Sequence, residues 1–140
     1  MRQRTTAMTA NDVRVRAKHA HTFLATLDLV NDLGTDAGIT STANVLGVLA
    51  VNASIAASDA ICGFALGKRA AGDAHDEAVR LLATATVNGA RYAKDLRRVL
   101  SVKSDVQYSP IFLSDTRATE ISRWARRLVA GMDAELSGRS

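Results

Sequence analysis

Proline occurs once in these 140 residues and cysteine once, and the aromatics amount to three phenylalanines, two tyrosines and one tryptophan. With Pro110 alone, there is almost nowhere a residue that must interrupt a helix by lacking a backbone N–H. Cys62 alone excludes an internal disulfide and makes a reducing compartment the expectation; its neighbours Ile61 and Phe64 point to a buried, inert thiol. Few aromatics within a 47% apolar composition require a core of alanine and aliphatic side chains, which closely spaced helices pack well. No segment alternates with period two, and no repeat of solenoid length is present. The longest apolar run, 45–51, stops at Asn52, short of the ~20 residues of a membrane span. The opening MRQRTTAMTAND lacks the apolar stretch of a secretory signal, so a cytoplasmic location without membrane contact is expected.

Chemistry with a strong signature is missing too. His19 and His21 project to nearly opposite sides of a helix and cannot share one metal ion. There is no His-Glu-x-x-His, Cys-x-x-Cys or Glu-x-x-His pattern, and neither a metal nor a cofactor is expected. GFALGKR at 63–69 has the wrong spacing for a phosphate-binding loop, no Ser or Thr after its lysine, and a position inside a helical pattern. No nucleophile elbow gives covalent hydrolysis a handle.

What is present is helical periodicity in a chain the length of one domain. Thr9 or Asn11 can cap a first helix whose stripe is Val13, Ala17, Ala20, Leu24 and Leu27, ending near Gly34. A second, long and largely apolar helix from Ser41 or Thr42 to about Ala71 reads as the centre of a bundle or as part of an oligomer interface. Gly72 ends it and Asp73 caps a third helix with the stripe Ala78, Leu82, Ala85, Gly89, Tyr92, Leu96 and Val99 or Leu100. Ser114 or Asp115 caps a fourth, in which Ile121, Trp124, Ala125, Leu128, Val129 and Met132 follow one face. The expected fold is all-α, an up-down bundle of four main helices with a long central second helix, formed by residues 10–137 behind a flexible tail at 1–9.

Several polar residues need partners in such a bundle. Ser58 and Asp59 fall inside the apolar second helix, where a carboxylate is costly unless paired; Arg69 or His75 folding back, or an arginine of the fourth helix or of a second subunit, are the expected partners. His75 opens the third helix, as an acid/base group or as a packing contact to the second helix. Most positive charge lies in the last third, at Arg91, Lys94, Arg97, Arg98, Lys103, Arg117, Arg123, Arg126 and Arg127. If the third and fourth helices are neighbours, these residues form a surface around 103–110 that attracts phosphate; otherwise they are solvated faces with acidic partners in their own helices. The formal net charge of +4 agrees with either.

The chain resembles the HEPN domains. The resemblance rests on the second helix with its small-polar pair, on GDAHDEAVRLL with histidine at the start of the next helix, on LRRVLSVKSDVQYSP at the third-helix end, and on SDTRATEISRWARRLV in the last helix, and it spans about residues 10–136. It implies a dimeric helical bundle of the kind found in prokaryotic toxin-antitoxin and defence systems and beside nucleotidyltransferases. Many such domains are metal-independent ribonucleases with an Arg, four to six variable residues and a His at this helix end. Here those positions hold Lys103 and Tyr108, with Ser104 in the polar slot. Lysine keeps the charge without the bidentate fork, and a tyrosine of pKa near 10 is a poor base at neutral pH. The resemblance therefore implies a homodimeric, non-catalytic or weakly catalytic accessory protein. It would bind RNA or a nucleotide through Arg97, Arg98, Lys103, Ser104, Arg123 and Arg127, or act with a nucleotidyltransferase or antitoxin. The alternatives are a ribonuclease toxin acting through Lys103, Tyr108, Arg98 and His75, and a purely structural helical dimer.

Overall fold

The computed structural model describes residues 4–71, 75–107 and 112–138. Helix α1 spans Ala10–Leu33 and starts at a capping box: the Thr9 hydroxyl accepts from the Asp12 N–H, and the Asp12 carboxylate accepts from the Thr9 N–H. Its buried positions Val13, Ala20 and Leu27 fall on the expected stripe. Helix α2, Thr42–Leu66, is the centre of the fold. It packs against α1 on one side and against α6, Asp115–Leu136, on another, and alanines 50, 53, 56, 57 and 60 are completely buried, which lets neighbouring backbones come close. By length and composition α2 could cross a membrane, but 67% of its most apolar window is covered by the rest of the protein.

Helix α2 ends five residues earlier than the sequence pattern predicts. Gly67 adopts the left-handed conformation (φ 72°), and its N–H caps the Gly63 carbonyl. Beyond it, Lys68–Ala70 form strand β2, paired antiparallel with Thr5–Ala7, strand β1. Residues 5–7 are thus not a flexible tail, and GFALGKR runs from a helix end into a strand. Long-range pairing, extended by Met8 N–H to Gly67 O and Ala71 N–H to Arg4 O, accounts for this two-stranded ribbon.

The single third helix expected from 74 to 100 is two helices, α3 at His75–Ala85 and α4 at Gly89–Leu100. A turn closed by the Gly89 N–H on the Thr86 carbonyl separates them, with Val87 fully exposed at its tip. Asn-Gly at 88–89 is turn chemistry inside an otherwise helical pattern, and α3 and α4 fold against each other. A short helix, α5 at Lys103–Gln107, follows, so Lys103 opens an element of its own rather than ending the preceding one. Val106 of α5 and Leu113 pack over Gly47, and the Leu113 N–H bonds to Asn44 Oδ1 at 2.8 Å. Ser114 caps α6 through the Arg117 N–H, and its predicted stripe from Ile121 to Met132 is buried throughout. Gly72, Asp73, Tyr108 and Pro110 lie outside the described residues.

Candidate phosphate cleft

Five residues singled out in the sequence line one cleft of about 100 Å³: Ser58, Asp59, Arg69, His75 and Lys103. They come from four elements of the fold. Helix α2 supplies Ser58 and Asp59, β2 supplies Arg69, α3 begins at His75, and α5 begins at Lys103. Leu96 and Leu100 of α4, with Ile55 and Ala78, form its apolar wall.

Asp59 finds a partner that was not among those expected. Arg16 of α1 approaches Asp59 Oδ2 with Nε at 3.1 Å and Nη2 at 3.0 Å. Arg16 continues the α1 stripe at i+3 from Val13, so a charge within an apolar spacing was the available signal. Burial pushes the Asp59 carboxyl above its ordinary range, and Arg16, aided by Arg69, pulls the other way. Cys62, one turn on, is buried, and desolvation together with the Asp59 charge pushes its thiol up to about 12, making it inert as expected.

Arg16 makes the close pair with Asp59, and neither Arg69 nor Lys103 forms an ion pair among the described residues. Arg69 donates to the Ala70 carbonyl at 3.2 Å, and the β1–β2 ribbon holds it over the cleft. Two cationic side chains, the Ser58 hydroxyl and an imidazole in a space this size suit a single phosphate group.

The other basic residues do not converge on Lys103. Arg97 lines a groove between α3 and α4 with Arg80 and Lys94. Arg98 and Arg117 each lie 5.5 Å from the Trp124 ring centroid. Arg123 lines a cleft of α1, α2 and α6 beside Arg126 and Asp115, and Arg127 turns to Asp95. Ser104 is described only as a residue of α5.

Two buried acids escaped the sequence reading. Asp95 is 3% exposed, with Arg127 Nε at 3.5 Å and Arg98 Nη1 at 3.9 Å, and its Oδ1 has no hydrogen-bond partner among the described residues. Glu135 accepts from the Tyr92 hydroxyl at 2.7 Å and from Asn88 Nδ2 at 3.4 Å. Burial, reinforced by this acceptor, raises the Tyr92 pKa. His19 bonds to Arg16 and His21 to Asp133, so the two histidines serve separate contacts.

Fold and cleft define a helical protein with a small cationic pocket between its central helix and a β-ribbon. No protein-family model, no curated protein and no solved structure matches the chain.

Proposed function

We propose that the protein is a HEPN-like, dimeric, cytoplasmic accessory protein that binds RNA or a nucleotide, with one phosphate seated between Arg69 and Lys103. In this reading α1, α2, α4 and α6 are the four legs of the up-down bundle, and α3 and α5 are short connections. The observation that carries it is the cleft itself, where Ser58, Arg69, His75 and Lys103 meet around an acid already paired with Arg16. Support comes from the α3–α4 groove, about 330 Å³, whose charged lining residues are Arg80, Lys94 and Arg97; it offers a track for neighbouring phosphates. Val15, Leu29 and Leu33 recur at helical spacing on α1 and are 43%, 58% and 53% exposed, which supports a second copy as a partner.

The test is RNA retention at low salt. Wild-type protein is expected to retain single-stranded RNA, with retention falling steeply as salt rises. Arg69→Ala with Lys103→Ala is expected to remove it, whereas Arg123→Ala is expected to reduce it slightly. Retention unchanged in the double variant contradicts the reading.

A second reading, a metal-independent ribonuclease, is favoured by His75 lining the same cleft as Arg69 and Lys103. An imidazole beside two cations meets the general needs of 2′-hydroxyl attack on a phosphodiester. It predicts RNA degradation in the presence of a chelator that His75→Ala abolishes while retention persists.

A further inference from the structure

The cleft of Ser58, Asp59, Arg69, His75 and Lys103 is narrow and walled. It holds about 100 Å³, whereas the grooves lined by Arg97, Arg123 and Phe64 hold about 330, 340 and 410 Å³. Five elements bound it: α2 with Ser58 and Asp59, β2 with Arg69 and Ala70, α3 with His75 and Ala78, α4 with Leu96 and Leu100, and α5 with Lys103. Ser58 is 4% exposed and Leu96 1%, so the α2 and α4 sides are closed, while Arg69 and Lys103 are half-buried.

The charges of this small space do not balance. Asp59 is the one carboxylate among its lining residues, and Arg16 grips it from α1. With Arg69 and Lys103, three cations stand against one acid, a surplus of two positive charges before any proton on His75.

Phosphates of RNA come in two kinds. One inside the chain carries a single negative charge, has two free oxygens and continues through a sugar on both sides. One at a chain end carries a charge of about −1.5 to −2 at pH 7 and three acceptor oxygens, and it is tethered on one side only. The end group matches both the surplus charge and a space closed on two sides.

We propose that the cleft takes a terminal phosphate monoester, of an RNA end or of a free nucleotide, in preference to a phosphodiester within a chain. The inference rests on the reading of the cleft as a phosphate site and specifies which phosphate enters it.

The experiment is calorimetric titration of the full chain, at one low salt concentration and neutral pH, with oligoribonucleotides of one sequence. They carry a 5′-phosphate, a 3′-phosphate or hydroxyls at both ends. A terminal phosphate is expected to tighten binding about tenfold over hydroxyl ends, the gain of one further charge-assisted hydrogen bond. The tighter of the two phosphorylated forms identifies the end recognised, and AMP competing as strongly as either assigns the site to a free nucleotide. Lys103→Gln is expected to bring the phosphorylated oligonucleotides down to the affinity of the hydroxyl-ended one. Arg69→Gln, on the ribbon, is expected to do the same even if Lys103→Gln fails to fold. Equal binding of all three oligonucleotides overturns the proposal and leaves the cleft as a site for an internal phosphate. A preference that survives both substitutions places the chain end elsewhere and overturns it too, and no binding of any oligonucleotide overturns the phosphate-cleft reading with it.

Discussion

Asp59 and Asp95 are both carboxylates drawn into the helical interior, and they are held in opposite ways. One arginine grips Asp59 through two nitrogens at 3.0 and 3.1 Å. Two arginines stand near Asp95 at 3.5 and 3.9 Å, and one of its oxygens bonds to nothing among the described residues. The first arrangement is a tie between α1 and α2. It fixes how those helices meet and keeps the buried acid paired, although burial still outweighs the pairing. The second adds little to the fold, because distances beyond hydrogen-bond range forgo most of the gain that offsets desolvation. Close pairing ties two helices to each other, whereas the longer contacts at Asp95 leave Arg98 and Arg127 partly exposed.

The largest way to break this contrast is Arg16→Ala. It strands the Asp59 charge and is expected to cost about 2–3 kcal/mol in chemical denaturation, somewhat below the value for a wholly buried pair because both side chains keep some exposure. The loss also depends on pH with a defined sign. The folded carboxyl of Asp59 lies above its ordinary value of 3.8, so its contribution is most favourable below that value and is lost as pH rises through the folded pKa. Without Arg16 the shift grows, and the variant is expected to be closer to wild type at pH 4 than at pH 7. Asp59→Asn removes this pH-dependent loss.

Tyr92→Phe is next, at about 1 kcal/mol, since it withdraws the better donor from buried Glu135. Arg127→Ala is expected to cost about 0.5–1 kcal/mol, because the contact is long, Arg127 itself is half exposed and Arg98 still faces the buried Asp95. A loss as large as that of Arg16→Ala would erase the distinction between the two acids. The smallest effect is at the exposed Asp28–Arg126 pair, where Arg126→Ala is expected to cost about 0.3 kcal/mol. Its pH dependence runs opposite to that of Asp59. The hydrogen bond from Arg126 lowers the Asp28 pKa, so its small contribution is present above 3.8 and fades as pH falls through the folded value, as urea melts between pH 2 and 7 would register.

Much of this organisation was legible in the chain. Helical periodicity gave the stripes of α1 and α6 because those helices bury one face each, and the apolar all-round pattern of α2 marked its central place. Ser58 and Asp59 stood out as polar groups needing partners, Arg69 and His75 as candidates to meet them and Lys103 as a basic residue at a helix end, and the fold brings all five to one cleft. What escaped depended on contacts distant in sequence. β1 and β2 exist through each other, and three residues of either carry no strand pattern. Arg16, Asp95 and Glu135 are charges set on apolar stripes, at i+3 from Val13, Tyr92 and Met132; a charge in such a register is read as solvated until its neighbour from another helix is known. The α3–α4 break followed from Asn88-Gly89, whose glycine also fitted the apolar stripe.

The cleft between Arg69 and Lys103 is tested most directly by amide chemical-shift mapping with a short single-stranded oligoribonucleotide at low salt. The account predicts that the largest shifts cluster at Ser58, Ala70, His75, Ala78 and Lys103, and that Arg69→Ala with Lys103→Ala abolishes them. Shifts centred on Arg123 and Arg126, with the cleft unmoved, would contradict it.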